Sequence, residues 1–313
     1  MKDRNAINVR KSMERGSIEH ETRVSEHEGD IMTLASKEVI SIPLSTTIKE
    51  AAEIMVTHNF RRLPITDPGS GKLLGIVTSM DILNFLGGGD KFNIMEEKYD
   101  DNFLAAINES VREIMTRDVK FLTHKDSITE SIKIMIDNNV GAIPIVDEAN
   151  KVIGIITERD FGLAMAGVLT DELVGDFMSK NLITTTQGTP IEGASKIMVR
   201  NKLRRIAIIG KKLDSANPEE EKLVGMLTSH DILKFFGDSK LFNKMRSESG
   251  VDVLNGKISE IMSKEVISVE PLTRVGDLCE LLNEKNIGGV PVVKNDELIG
   301  IITERDILRA IHN

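Results

Sequence analysis

Four aspartates in this chain each follow a threonine by three residues and a glycine by six. The copies read Gly75-Ile-Val-Thr78-Ser-Met-Asp81, Gly154-Ile-Ile-Thr157-Glu-Arg-Asp160, Gly225-Met-Leu-Thr228-Ser-His-Asp231 and Gly300-Ile-Ile-Thr303-Glu-Arg-Asp306. A carboxylate can accept from both cis hydroxyls of a ribose, and a threonine beside it adds one donor and one acceptor. Each copy joins an apolar run to a helical pattern, so it sits at a helix N-terminus, where free N–H groups and the dipole favour a phosphate. The residue before each aspartate points near that phosphate: Met80, Arg159, His230 and Arg305. Arg62 and Arg205, on the preceding apolar stretch, could add guanidinium contacts to phosphate oxygens. The chemistry suits a sugar phosphate.

Taken singly, Thr-x-x-Asp is a helix-capping box and nothing more. Three features argue for a second role. The glycine keeps one face of the strand end open to a ligand. Aspartate recurs in all four copies, although glutamate would cap as well. Every loop opens a helix. The Arg pairs, read alone, could equally be a solvated strand edge.

Successive aspartates lie 79, 71 and 75 residues apart, so the chain is four versions of one unit. About ten residues upstream of each loop stands a second element: Arg61-Arg62-Leu63-Pro64-Ile65, Gly141-Ala142-Ile143-Pro144-Ile145, Arg204-Arg205-Ile206-Ala207-Ile208 and Gly288-Gly289-Val290-Pro291-Val292. Further upstream is a lead-in, SKEVIS at Ser36–Ser41 and Ser263–Ser268, SKNLIT at Ser179–Thr184, and the divergent TRDVKF at Thr116–Phe121. The units span 28–88, 111–168, 174–237 and 258–313. Residues 1–27 form an N-terminal arm of mixed charge, and 89–110 and 238–257 are partly helical linkers within each pair. Units one and three share Arg-Arg and T-S-x-D, whereas two and four share small residues and T-E-R-D. The order is ABAB, as duplication of a two-unit module would leave it.

Within a unit the pattern predicts strand, helix, strand, strand, helix. In the first, Val39–Ile42 reads as a short strand and Ser45-Thr46-Thr47 as an N-cap. Ile48, Ala51, Ala52, Met55 and Val56 recur at helical spacing. Leu63–Thr66 and Lys72–Val77 read as strands around the turn Asp67–Gly71, and Asp81 opens the second helix. About 60 residues bury too little surface to stand alone, so the units should pair.

A formal charge of −9 opposes general nucleic-acid affinity, and the absence of Trp removes the best stacking platform for single strands. No apolar stretch is long enough to span a membrane and no secretory core follows Met1. A single cysteine, Cys279, fits a reducing compartment and reads as a core residue on an apolar helical stretch. These features suggest a cytoplasmic protein. The six histidines are dispersed, and no HExxH, CxxC, Walker loop or Gly-x-Ser-x-Gly supports an enzyme.

With the lead-in and G-h-h-T-x-x-D present four times and the h-P-h strand three times, the chain resembles a tandem of four cystathionine-β-synthase (CBS) domains over about residues 28–313. It is similar to the gamma subunit of AMP-activated protein kinase and to archaeal stand-alone CBS proteins. The resemblance implies an α+β fold of βαββα units paired into two Bateman modules, which could close into a disk with phosphates directed to its centre. It implies adenosyl ligands: AMP, ADP or ATP, with S-adenosylmethionine or methylthioadenosine as the alternative. Asp81, Asp160, Asp231 and Asp306 match the family's ribose-binding aspartate, and Thr78, Thr157, Thr228 and Thr303 its hydroxyl position. Arg62 and Arg205 match a phosphate-binding basic position. Ser36, Thr116, Ser179 and Ser263, with Ser41, Phe121, Thr184 and Ser268, lie on the segment that lines the adenine pocket. Ala207 departs from the proline of the other units, Met80 puts no charge before Asp81, and Phe121 replaces a small polar residue.

The resulting expectation is a non-catalytic energy-sensing protein with an adenine nucleotide as ligand, and an unidentified effector protein or a second copy of the chain as partner. A scaffold with vestigial sites is the rival that four retained aspartates disfavour. Ala142 and Gly289, at the equivalents of Arg62 and Arg205, should leave space where units one and three place charge.

Overall fold

The computed structural model describes residues 30–99, 103–166, 171–211, 221–237 and 254–312. The N-terminal arm and most of the second linker lie outside the described residues.

The first unit shows how the sequence builds each copy. Thr47 caps helix Ile48–His58: its Oγ1 accepts from the Glu50 N–H while Glu50 Oε2 accepts from the Thr47 N–H. Ile48, Ala51, Ala52 and Met55 form the buried stripe of that helix. The helix stops at Asn59, held in the left-handed region at φ 54°, which asparagine tolerates. Strand Arg62–Thr66 then runs antiparallel to Leu73–Thr78, with Arg62 opposite Thr78 and Ile65 opposite Gly75. The turn between them closes on Asp67, whose Oδ1 accepts from the Gly69 and Ser70 N–H groups. Thr78 caps the last helix, Ser79–Leu83, which runs on through Asn84–Gly88 in wider turns.

The lead-in is shorter as a strand than its sequence suggests. Val39–Ile42 contributes only a parallel bridge from Ile42 to Ile65. The reason is Pro64 on the facing strand, which has no N–H to extend the ladder. Pro144 and Pro291 have the same effect, limiting the second unit to Leu122–Thr123 and the fourth to the bridge Val269–Val292. The third unit carries Ala207 there, and its lead-in strand lengthens to Thr184–Thr186, with Thr184 beside Ala207.

Units pair by exchanging lead-ins. Ser36 of unit one makes two backbone hydrogen bonds to Ile155 of unit two, and Thr116 of unit two makes two to Ile76 of unit one. Ser179 with Ile301 and Ser263 with Met226 repeat this in the second module. The short helices before them cross as well. Ile31 and Ala35 pack in the second unit's core among Leu122, Ile132 and Phe161, and Val111 and Ile114 pack in the first. Val174 joins the fourth core, which also holds Cys279.

The modules then close like on like. Units one and three share one continuous core, in which Phe85 and Leu86 of the first meet Ile191, Ala194 and Met198 of the third. Units two and four face each other through helices Glu158–Met165 and Glu304–His312. No described helix is long and apolar enough to cross a membrane.

Candidate functional site

Each Thr-x-x-Asp loop adopts one geometry. The Oδ2 of Asp81, Asp160, Asp231 and Asp306 accepts from both the N–H and the hydroxyl of the threonine three residues earlier, at 2.6–2.9 Å. One carboxylate oxygen is therefore committed to the cap, and only Oδ1 remains for a ligand. For Asp160, no described residue hydrogen-bonds that oxygen. Arg309 stands 3.6 Å from that of Asp306, while Lys91 Nζ donates to that of Asp81 at 2.5 Å. Burial pushes the Asp160 and Asp306 carboxyls up.

The glycines do not serve the role expected of them. A side chain at Gly75 would strike Met115 Sδ and the Thr116 carbonyl, both 2.9 Å from the Cβ position. Gly225 meets Met262 Sδ and the Ser263 carbonyl at 2.8 and 3.1 Å, and Gly300 meets Met178 Sδ and the Ser179 carbonyl at 2.5 and 3.3 Å. The glycine keeps the strand open to the partner unit's lead-in backbone rather than to a ligand. Only Gly154 has ordinary clearance there, 3.5 Å to Met32 and the Ser36 carbonyl.

The first residues of the four last helices converge between the modules. Glu158, 1% exposed, accepts from Arg204 Nη2 at 2.6 Å and Arg305 Nε at 2.5 Å. Glu304, 5% exposed, accepts from Arg61 Nη1 at 2.8 Å and Arg159 Nε at 2.7 Å. Arg159 also donates to Asn286 Oδ1 at 2.5 Å, and Arg305 donates to Asn139 Oδ1. Arg62 donates to the Gly141 carbonyl and Arg205 to the Gly289 carbonyl, each across its own module. At the matching positions of units one and three, Ser79 and Ser229 meet through their hydroxyls at 3.2 Å.

The space expected at Gly289 is filled from the third unit, since a Cβ there would lie 2.8 Å from Arg205 Nη1, and the neighbouring glycines are closed as well, Gly288 by Arg61 of the first unit and Gly141 by Glu158 of its own. A Cβ on Gly288 would lie 2.3 Å from Arg61 Nη2, and one on Gly141 2.5 Å from Glu158 Oε2. The Arg pairs are no solvated strand edge. They lie in a recess that collects six guanidinium groups against two carboxylates.

Electrostatics follow that imbalance. Burial works to raise the Glu158 carboxyl, but Arg204, Arg305 and Arg62 hold it down at about 2. Glu304 is lowered against burial by Arg61 and Arg159. Burial, then repulsion from Arg204, draws Arg62 down to about 9, and burial with Arg61 does the same to Arg205. Both remain cations at neutral pH. Burial lowers His230, and its Nδ1 is a buried atom without a hydrogen-bond partner among the described residues, as is Nη2 of Arg159.

The remaining expected residues lie on the lead-ins. Ser36, Ser41, Thr116, Ser263 and Ser268 are exposed, while Ser179 and Thr184 are half-buried. Ser41 Oγ lies 2.9 Å from Thr66 Oγ1. Beside these hydroxyls, Ile40, Ile183 and Ile267 leave more than a third of their surface exposed, as does Phe121. Sequence reasoning missed Glu158, Glu304, Arg61, Arg204, Lys91 and the three isoleucines. The contrast between T-E-R-D and T-S-x-D was the available signal for the glutamates.

A family model described as "CBS domain" matches residues 29–88, 111–167, 174–238 and 258–313. The chain belongs to the CBS-domain family. Its CBS units are similar in sequence and arrangement to MJ1225 of Methanocaldococcus jannaschii, 37% identical over 89% of this chain and 98% of that protein. The solved structure of MJ1225, proposed there as an archaeal homolog of g-AMPK, superposes with a TM-score of 0.83 at 36% identity, covering 90% of this chain and 99% of that one. A protein from Thermofilum pendens is 25% identical over 85% of this chain and 86% of its own length. A Pyrococcus horikoshii structure at 19% identity, covering 90% and 99% of the two chains, shares the fold with a TM-score of 0.57.

Proposed function

We propose that this CBS-domain protein is a non-catalytic regulator that binds adenine nucleotides, AMP, ADP or ATP, in the clefts beside its Thr-Asp loops. The observation that carries this reading is the recess of six arginines held by two carboxylates, beside which the four loops open. A half-buried excess of guanidinium calls for an anion with several oxygens. The remaining carboxylate oxygen of Asp160 suits a ribose hydroxyl at 2.7–2.9 Å distances typical of such bonds. Ile40, Ile183 and Ile267 offer apolar surface to a base on the neighbouring segment, with serine or threonine hydroxyls beside them.

Regulation follows from where the phosphate would go. Arg61, Arg159, Arg204 and Arg305 each bridge the modules through Glu158 or Glu304. A phosphate competing for these guanidinium groups favours a different set of module contacts, and an effector protein that prefers one set responds to ligand. S-adenosylmethionine fits less well, because Arg159 and Arg305 place positive charge in units two and four as well. No described cluster of His, Cys, Asp and Glu is arranged as a metal site, and no motif for covalent chemistry lies near the loops.

Isothermal titration of the full chain with AMP, ADP and ATP tests the reading. Saturable binding of at least one is expected. No heat from any of them at millimolar concentration would sink it.

A further inference from the structure

The first unit's loop already holds an occupant of its own. Lys91 Nζ donates to Asp81 Oδ1 at 2.5 Å, and also to the carbonyl of Ile114 in the second unit. It takes the carboxylate oxygen left over after Thr78 has used the other. The lysine side chain is about a quarter exposed and the aspartate less, so the pair is shielded from bulk water.

The turn that carries Lys91 is built to keep it there. After Asn84 the helix widens, and Gly87 takes φ +135°, a conformation that favours glycine. Asn84 then holds the returning chain twice: its carbonyl accepts from the Gly89 N–H, and its Oδ1 accepts from the Lys91 N–H at 2.8 Å. The turn lies directly against helix Ile191–Arg200 of the third unit. A Cβ on Gly87 would stand 3.2 Å from Glu192 Cγ, and one on Gly89 3.0 Å from Val199 Cγ1. The strap is pinned between its own helix and the other module.

We infer that Lys91 sets the occupancy of the first site: its ammonium stands in the ribose position of Asp81, and in the wild-type chain a nucleotide enters only when that ammonium is withdrawn, as it would be if the 87–91 strap left the third unit. This rests on the proposed nucleotide reading. It makes the first loop a latch between modules, in contrast to Asp160, whose Oδ1 no described residue hydrogen-bonds. Removing the ammonium while keeping the stem should open the site without moving the strap.

The test counts nucleotides on the full chain by native mass spectrometry with AMP and ATP. Asp81→Asn alone should leave the count unchanged, Lys91→Met should add one nucleotide per chain, and the double variant should lose the addition. A lower count for Asp81→Asn alone, or no gain for Lys91→Met, overturns the inference. Failure of the wild-type chain to bind at any site is a different result, and it removes the nucleotide reading itself. A ligand-free measurement covers variants that fold poorly. Acylation of wild-type amines by an N-hydroxysuccinimide ester should leave Lys91 slow beside the exposed Lys125, and Asp81→Asn should make Lys91 fast. Equal rates in the wild type would show that the ammonium is not held.

Discussion

Arg61 donates to Glu304 at 2.8 Å across 243 residues of sequence, tying the first unit to the fourth. Arg204 ties the third to the second through Glu158 in the same way. In its own unit, Arg61 offers its carbonyl to the N–H of Ser79, and Gly288 offers its own to the N–H of Glu304. The two positions therefore have exchanged chemistry between alternate units: Arg with Ser in one kind, Gly with Glu in the other. Each large charged group occupies room vacated by a small one elsewhere. The ABAB order is what makes the closed assembly complementary.

Glu158→Ala should show how much the module junction depends on that exchange. Arg204 and Arg305 would lose their carboxylate inside a recess, and breaking a buried pair this way costs about 3–5 kcal/mol. Thermal unfolding should drop accordingly, and ATP should restore more of the loss than AMP because it supplies more anionic oxygens. Equal recovery by both would argue that phosphates do not reach the guanidinium groups.

Acid should loosen the same junction. Glu158 has its folded carboxyl at about 2 against an ordinary 4.5, and Glu304 is lowered as well. Groups depressed by folding contribute stability that is complete above the ordinary value and is lost as pH falls through the folded one. Melting temperature should therefore fall between about pH 4.5 and 2. A Glu158→Gln, Glu304→Gln protein should lose less over that range, with Glu109, also held at about 2 by Tyr99 and the Ser110 N–H, left to supply part of the slope. An unchanged acid limb in the double variant would contradict this account.

The four loop glycines should not be equally tolerant. Gly75→Ala drives a methyl into Met115 and the Thr116 backbone, and overpacking of that kind costs about 1–3 kcal/mol. Gly154→Ala, with 3.5 Å of clearance, should be close to neutral. Chemical denaturation of the two variants checks the order; equal losses would mean that the lead-in contact is not what demands glycine.

Capping and binding can be separated at Asp160. Asparagine keeps an oxygen for the Thr157 N–H but removes the charge, so Asp160→Asn should lower stability by no more than about 1 kcal/mol. It should nevertheless remove one nucleotide from the stoichiometry. A full complement of nucleotide on this variant would reduce the loop to architecture.

The repeat and its pairing were legible because they rest on local rules: a cap at Thr47, a turn at Asp67, a helix N-terminus at Thr78. Lead-in exchange was not legible, since Ser36 and Ile155 become neighbours only through a backbone ladder that no side-chain pattern records. The glycines misled for that reason. Their need for space was visible, but what filled the space was not. Glu158 and Glu304 looked like ordinary first-turn acids, which favour any helix N-terminus. Lys91 stood in a linker whose helical spacing gave no hint that the chain turns back at Gly87 onto Asp81.

The shared core of units one and three carries a consequence for synthesis. A ribosome that has released the whole first module has released Phe85 and Leu86 before their packing partners Ile191, Ala194 and Met198 exist outside the exit tunnel. Domains usually fold as they emerge, N-terminal first, and exposed apolar surface in that interval invites aggregation. Here the first module must wait, half-covered, for more than thirty further residues before its inner face is closed. The nascent chain is therefore the form of this protein most exposed to chaperones, and half of the molecule expressed by itself would carry that unfinished face permanently.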